Sequence, residues 1–235
     1  MTSWVLAAER AYVAAAVGPR PAVALPSALA VAPRPVPGVH PAADAPPGPP
    51  ALSTSAAPSG FAASDPQARA IAAAGAVASR FLAVGTPRSF GIVIDDLAQA
   101  RGAARCLVAH RTWFAPIDIR CAAVGSGADE LADITGGRAV SVDEALACDI
   151  VNVYAARIRI TPAQLRRGTH VNAPTADILD PELLALATVV HEAGLPALAA
   201  GLVDGRQLDE LTIFVADGAP IALAALAAID IARVP

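Results

Sequence analysis

The sequence predicts an α/β protein with a doubly wound parallel sheet. Two observations carry the prediction. Beyond residue 67, short apolar runs alternate with helical runs punctuated by Gly, Pro, Ser and Asp, the rhythm of parallel strands joined by helices. The 235 residues are also 55% apolar, enough to fill the core of one generous domain or of a large domain plus a small one.

Each element follows from local chemistry. Ser3 caps a first helix from Trp4 to Val17, and Gly18 with Pro19 ends it. From Pro19 to Pro66 the composition turns proline-rich, with "APRPVPG", "APPGPP" and "STSAAPSG". Pro cannot donate to a ladder, so a strand here belongs at an edge, with Ala22 to Val31 the best candidate and the rest extended or loop. Asp65 as N-cap and Pro66 at the first helical position open a helix that stops before Gly85.

Then come a strand at Ser89 to Ile94, a helix at Leu97 to His110, a strand at Ile117 to Val124 and a short helix at Asp129 to Thr135. A brief strand at Ala139 to Val140 precedes a helix capped by Ser141, with Glu144 three residues on as its capping box. Strands follow at Ile150 to Tyr154, His170 to Ala173, Val189 to Glu192 and Leu211 to Val215. Their partners are a short helix after Thr161 and helices at Pro181 to Ala187, Ala197 to Leu202 and Ile221 to Ala232. There is no internal repeat.

Composition excludes several functions. All seventeen basic residues are Arg, a bias that a GC-rich bacterial genome produces, and it rules out any step resting on a Lys amine. A net charge of -4 with arginines spread singly argues against nucleic acid. Cys106, Cys121 and Cys148 lie in apolar runs without metal-ligand spacing and read as reduced thiols, so no metal is expected. Glu9 and Arg10 interrupt the first apolar stretch, which argues against a signal peptide, and "APIALAALAAIDIA" is too short to span a bilayer. The expectation is a soluble cytoplasmic protein with no membrane partner.

The stretch "RSFGIVIDDLAQARGAARCLVAH" opens like the first strand of a dinucleotide-binding unit, yet its turn, Ile94, Asp95 and Asp96, carries two carboxylates where such a unit carries glycines. Each carboxylate can cap the following helix and take amides that a phosphate would use. Each would also repel a phosphate charge about 5 Å away by roughly 3 kcal/mol at an effective dielectric near 20. Salt and rearrangement cut this to about 1 or 2 kcal/mol each, still about two decades of affinity for the pair. Gly125 and Gly127 in "AVGSGADELA" are secondary cofactor candidates, but they follow the second strand and lack the third small position in register.

From about residue 68 onward the chain resembles the ornithine cyclodeaminase and mu-crystallin family. The resemblance rests on "ARAIAAAGAVASRFLAVGTPRSFGIV", "SVDEALACDIVNVYAA", "LRRGTHVNAPTADILDPELLALATVV" and "DELTIFVADGAPIALAALAA". It implies a Rossmann-type sheet at residues 67 to 205 and a closing strand and helix at 206 to 235. It also implies a reduced N-terminal and C-terminal oligomerisation region, with residues 1 to 66 as a helix and Pro/Ala-rich arm. By the same resemblance Arg69 matches a substrate-carboxylate position, Asn172 and Ala173 a nucleotide-side loop, and Asp177 the catalytic Asp of enzymes that use NAD. The departures are the missing glycines, the absent substrate-side Lys and the shortened N-terminal half.

Asp177 therefore reads as a vestigial catalytic candidate and Arg69 as a substrate-carboxylate candidate, beside ordinary roles at a helix start and on a helix surface. His170 reads as a core histidine, His191 with Glu192 as a possible acid-base pair, and His40 and His110 carry no supporting neighbours. The expectation is a non-catalytic relative without a cofactor that acts through homo-oligomeric assembly or scaffolding, with the Pro-rich arm open to a partner protein. The alternatives are an NAD(P)-dependent amino-acid dehydrogenase or cyclodeaminase with an atypical turn, and a binder of amino-acid-like small molecules.

Overall fold

A computed structural model describes residues 3 to 17, 65 to 203 and 210 to 232. The expected edge strand at Ala22 to Val31, the Pro-rich arm and His40 lie outside the described residues. The elements in order are α1 (Ser3–Val17), α2 (Asp65–Leu82), β1 (Ser89–Ile94), α3 (Ala100–His110), β2 (Asp118–Ala123), α4 (Ala128–Thr135), β3 (Arg138–Ala139) and α5 (Val142–Leu146). They continue as β4 (Ile150–Val153), β5 (His170–Ala173), α6 (Pro181–Leu186), β6 (Thr188–His191), α7 (Leu195–Ala199), β7 (Thr212–Val215) and α8 (Pro220–Ala232).

The seven strands form one parallel sheet in the order β3-β2-β1-β4-β5-β7-β6, a Rossmann-like α/β fold. The chain winds outward from β1 to β3 and then crosses back to β4, so the order reverses between β1 and β4. At such a reversal the loops beyond the strands part and leave a crevice, the usual ligand position in open parallel sheets. Every residue of β1, β4, β5 and β7 is buried, as strands covered by helices on both faces require.

The pleat sorts the core into two layers. Phe90, Ile92 and Ile94 of β1 pack with α1, α2 and α3, while Val93 packs with Ala145, Leu146 and Leu183 on the opposite face. All ten residues of α2 from Ala70 to Ser79 are buried, so this helix lies inside the molecule. Its run of alanines lets the neighbouring helices approach closely. On the other face α5 lies so near β1 that a Cβ on Gly91 would collide with the Ala145 carbonyl oxygen.

Local differences from expectation have local causes. The helix expected at Leu97 to His110 starts as a 3-10 turn, Leu97–Gln99, because Asp96 caps Ala98 and the Gln99 side chain turns back to the Asp95 amide at 2.7 Å. Glu192 falls outside β6 and starts another 3-10 turn, and α7 begins at Leu195 because Pro196 is tolerated in a first helical turn. The Ser141 capping box forms as expected, with the Ser141 amide on Glu144 Oε2 at 3.0 Å.

Candidate functional site

The crevice between β1 and β4 is laced by the protein's own groups. Asp96 accepts the Ala98 amide at 3.0 Å and caps the 3-10 turn. Asp95 does not cap the helix as expected. Its buried carboxylate crosses to the loop after β4 and accepts the amides of Ala156 at 2.8 Å and Arg157 at 3.0 Å. The Arg157 guanidinium closes over it, with Nε 3.3 Å from Asp95 Oδ1 and an outer nitrogen 3.2 Å from the Asp95 carbonyl. The second-strand glycines support the same turn: the Gly125 amide donates to the Asp95 carbonyl at 2.9 Å. Gly127 has φ +102°, and a Cβ on it would stand 2.7 Å from Leu97 Cα. Both glycines therefore serve contact with the β1 turn.

Beside the crevice, at the carboxyl ends of β4, β5 and β7, lies a cavity of about 10 Å³ lined by Ile71, Gly75, Asn152, Tyr154, Asn172 and Phe214. That is about the room of one water molecule. Asn172, expected beside a nucleotide, is buried in a polar network instead. Its Nδ2 donates to Ser79 Oγ at 2.9 Å and Asn152 Oδ1 at 3.1 Å, while its Oδ1 lies 3.1 Å from His170 Nε2. Asn152 Nδ2 is buried and has no partner among the described residues. Burial lowers His170 to a pKa of about 3 and His110 to about 4, so both rings are neutral at pH 7.

The remaining candidates are dispersed. Arg69 reaches Asp230 of α8 at 2.6 Å, while its Nε is buried and has no partner among the described residues. Asp177 is exposed in the 3-10 turn after β5. His191 and Glu192 do not pair with each other. His191 Nδ1 bonds exposed Asp217 at 2.7 Å, whereas buried Glu192 accepts the Tyr12 hydroxyl at 2.7 Å and the amides of Ala222 at 3.1 Å and Ile221 at 3.2 Å. The chain leaves the strand between them: His191 ends β6 and Glu192 opens the 3-10 turn that follows.

Arg157, Asn152 and Ser79 went unnoticed in the sequence. Asp95 and Arg157 are 62 residues apart and meet only once the sheet has formed, so no local spacing betrays them. Among the described residues, no cluster of three or more His, Cys, Asp or Glu is placed to hold a metal ion. None of their helices is long and apolar enough to cross a membrane.

No protein-family model and no curated protein matches the chain. Solved structures do. An archaeal alanine dehydrogenase dimer with bound NAD aligns with a TM-score of 0.54 and 21% identity, over 71% of this chain and 65% of its own. The Δ1-pyrroline-2-carboxylate reductase of Thermococcus litoralis, in complex with NADH and L-proline, aligns at 0.53 and 20%, over 71% and 66%. A probable ornithine cyclodeaminase of Bordetella pertussis Tohama I aligns at 0.52 and 21%, over 71% and 67%. This chain thus spans just under two thirds of the first two neighbours, and the likeness is one of fold.

Proposed function

We propose that this protein is a non-catalytic relative of these amino-acid dehydrogenases and cyclodeaminases that takes no dinucleotide and acts through homo-oligomeric assembly. The observation that carries the reading is the Asp95 carboxylate on the amides of Ala156 and Arg157, with Asp96 on the amide of Ala98. Asp96 takes an amide at the start of the turn after β1, where a pyrophosphate would need one, and the Asp95 carboxylate with its Arg157 partner ties that turn to the loop after β4 across the mouth of the crevice. Arg69, the counterpart of a substrate-carboxylate residue by resemblance, is engaged by the Asp230 carboxylate in the same manner. The cavity beside the crevice is too small for an amino acid or a nicotinamide ring. The groups present do not fit a dinucleotide.

Assembly is supported by α8. Its outward positions Leu223, Ala224, Ala227 and Ala228 are exposed, and no charged residue precedes Asp230 in this helix. A helix apolar all round calls for cover on its free side.

The competing reading, an NAD(P)-dependent dehydrogenase or cyclodeaminase with an atypical turn, draws on neighbours solved with NAD or NADH. Titration of NADH and NADPH, followed by fluorescence, separates the two. The proposal expects no binding up to millimolar cofactor, and partial recovery in the Asp95→Gly, Asp96→Gly variant. Micromolar binding by the unmodified protein would overturn it in favour of the enzyme.

A further inference from the structure

We propose that a groove at the amino-terminal ends of β1 and β2 binds a small aromatic carboxylate. The groove measures about 640 Å³, within the range of about 300–1,000 Å³ typical of small-molecule sites, and lies at the opposite end of the sheet from the crevice. Thr86, Pro87 and Arg88 form one wall and Trp113, Phe114 and Ile117 the other.

The two walls are tied together. The Arg88 carbonyl accepts the amides of Ile117 at 3.0 Å and Asp118 at 3.2 Å, and the Arg88 amide donates to Asp149 at 2.8 Å. Trp113 is steadied by the Arg80 guanidinium, 5.2 Å from its ring centre, and Arg80 is itself paired with Glu9. The Phe114 ring stacks on His110 with centroids 6.1 Å apart, and its amide donates to the His110 carbonyl. The aromatic surface is thus held by its surroundings and needs little rearrangement to receive a flat ring.

Two features at this frame lack a structural task among the described residues. Ile117 is 78% exposed, an apolar side chain left at the mouth of the groove. The exposed Arg88 guanidinium makes no hydrogen bond or ion pair among the described residues, although its backbone is fixed. The acids nearby are already engaged: Glu9 by Arg80, Asp118 by Arg120 and Arg138, and Asp149 by the amides of Arg88 and Ser89. A spare cation beside an aromatic wall selects a ligand with a planar apolar body and a single carboxylate, which a guanidinium holds by paired hydrogen bonds.

Calorimetric titration of the full chain with 1-naphthoate and with neutral 1-naphthalenemethanol tests the assignment. The unmodified protein is expected to bind the carboxylate saturably at one site, more tightly than the alcohol. Arg88→Gln should weaken the carboxylate about tenfold and leave the alcohol unchanged, since a lost charged hydrogen bond is worth about one decade. Ile117→Asp, a change at an exposed position that leaves the fold intact, should abolish carboxylate binding by placing an anion at the mouth. Absence of saturable binding to the unmodified protein at millimolar ligand, equal losses for both ligands in Arg88→Gln, or full binding by Ile117→Asp would each overturn the proposal.

Discussion

At the scale of single residues, the two buried histidines make stability depend on pH. His110 Nδ1 donates to the Cys106 carbonyl at 2.7 Å, and its Nε2 lies 2.8 Å from Ser79 Oγ. His170 is likewise enclosed between Thr212 and Asn172. In the folded chain they titrate at about 4 and about 3, chiefly because burial disfavours the charged ring. An unfolded histidine titrates near ~6.5. The unfolded state therefore binds more protons, and the stability these rings contribute is fully present above pH ~6.5 and is lost as pH falls toward the folded values. Between pH 7 and 5 the loss is about 2 kcal/mol for each ring. Glu192, raised by burial above its ordinary value, acts in the opposite sense as pH falls through its folded value toward ~4.3, and so offsets part of this loss. Urea unfolding at pH 7, 6 and 5 should show the fall, and a flat profile would contradict neutral burial of the pair.

At the scale of elements, a single carboxylate gathers three of them. Glu192 leaves the end of β6, receives Tyr12 from α1 and caps the first turn of α8 through Ile221 and Ala222. Tyr12→Phe should leave the fold intact and lower stability by about 1–3 kcal/mol, because a buried carboxylate loses one of its donors. Pairing that variant with Glu192→Gln in a double-mutant cycle should give a coupling above about 0.5 kcal/mol. Strands and caps of this kind divide into legible and illegible ones. Phe90 to Ile94 and Ile150 to Val153 stand out because continuous apolar runs mark strands buried on both faces, and the Ser141 cap is visible because its partner is three residues away. Glu192 read as a strand end because its partners, Tyr12 and α8, are far off along the chain. The β1 turn was half legible: the Asp96 cap can be read from adjacent residues, but only the sheet brings Ala156 and Arg157 to Asp95.

At the scale of the whole molecule, the distribution of charge on the helical layer sets the expected assembly. α1 packs against α2, α7 and α8, and α8 then turns Leu223, Ala224, Ala227 and Ala228 outward. Small side chains on this row allow a second helix to come close, so two copies can bury the row against each other about a twofold axis. A carboxylate placed there would face its own copy across that axis, and like charges at such an interface cost several kcal/mol. Ala227 is exposed, and Glu is a good helix former, so Ala227→Glu should fold normally. Sedimentation velocity should find the unmodified protein at a multiple of its 23.6 kDa chain mass and the variant shifted to the single chain. A monomeric unmodified protein would remove assembly from the proposed function. A variant that still associates would instead move the contact away from α8, leaving the closed crevice at Asp95 as the only part of that proposal still supported.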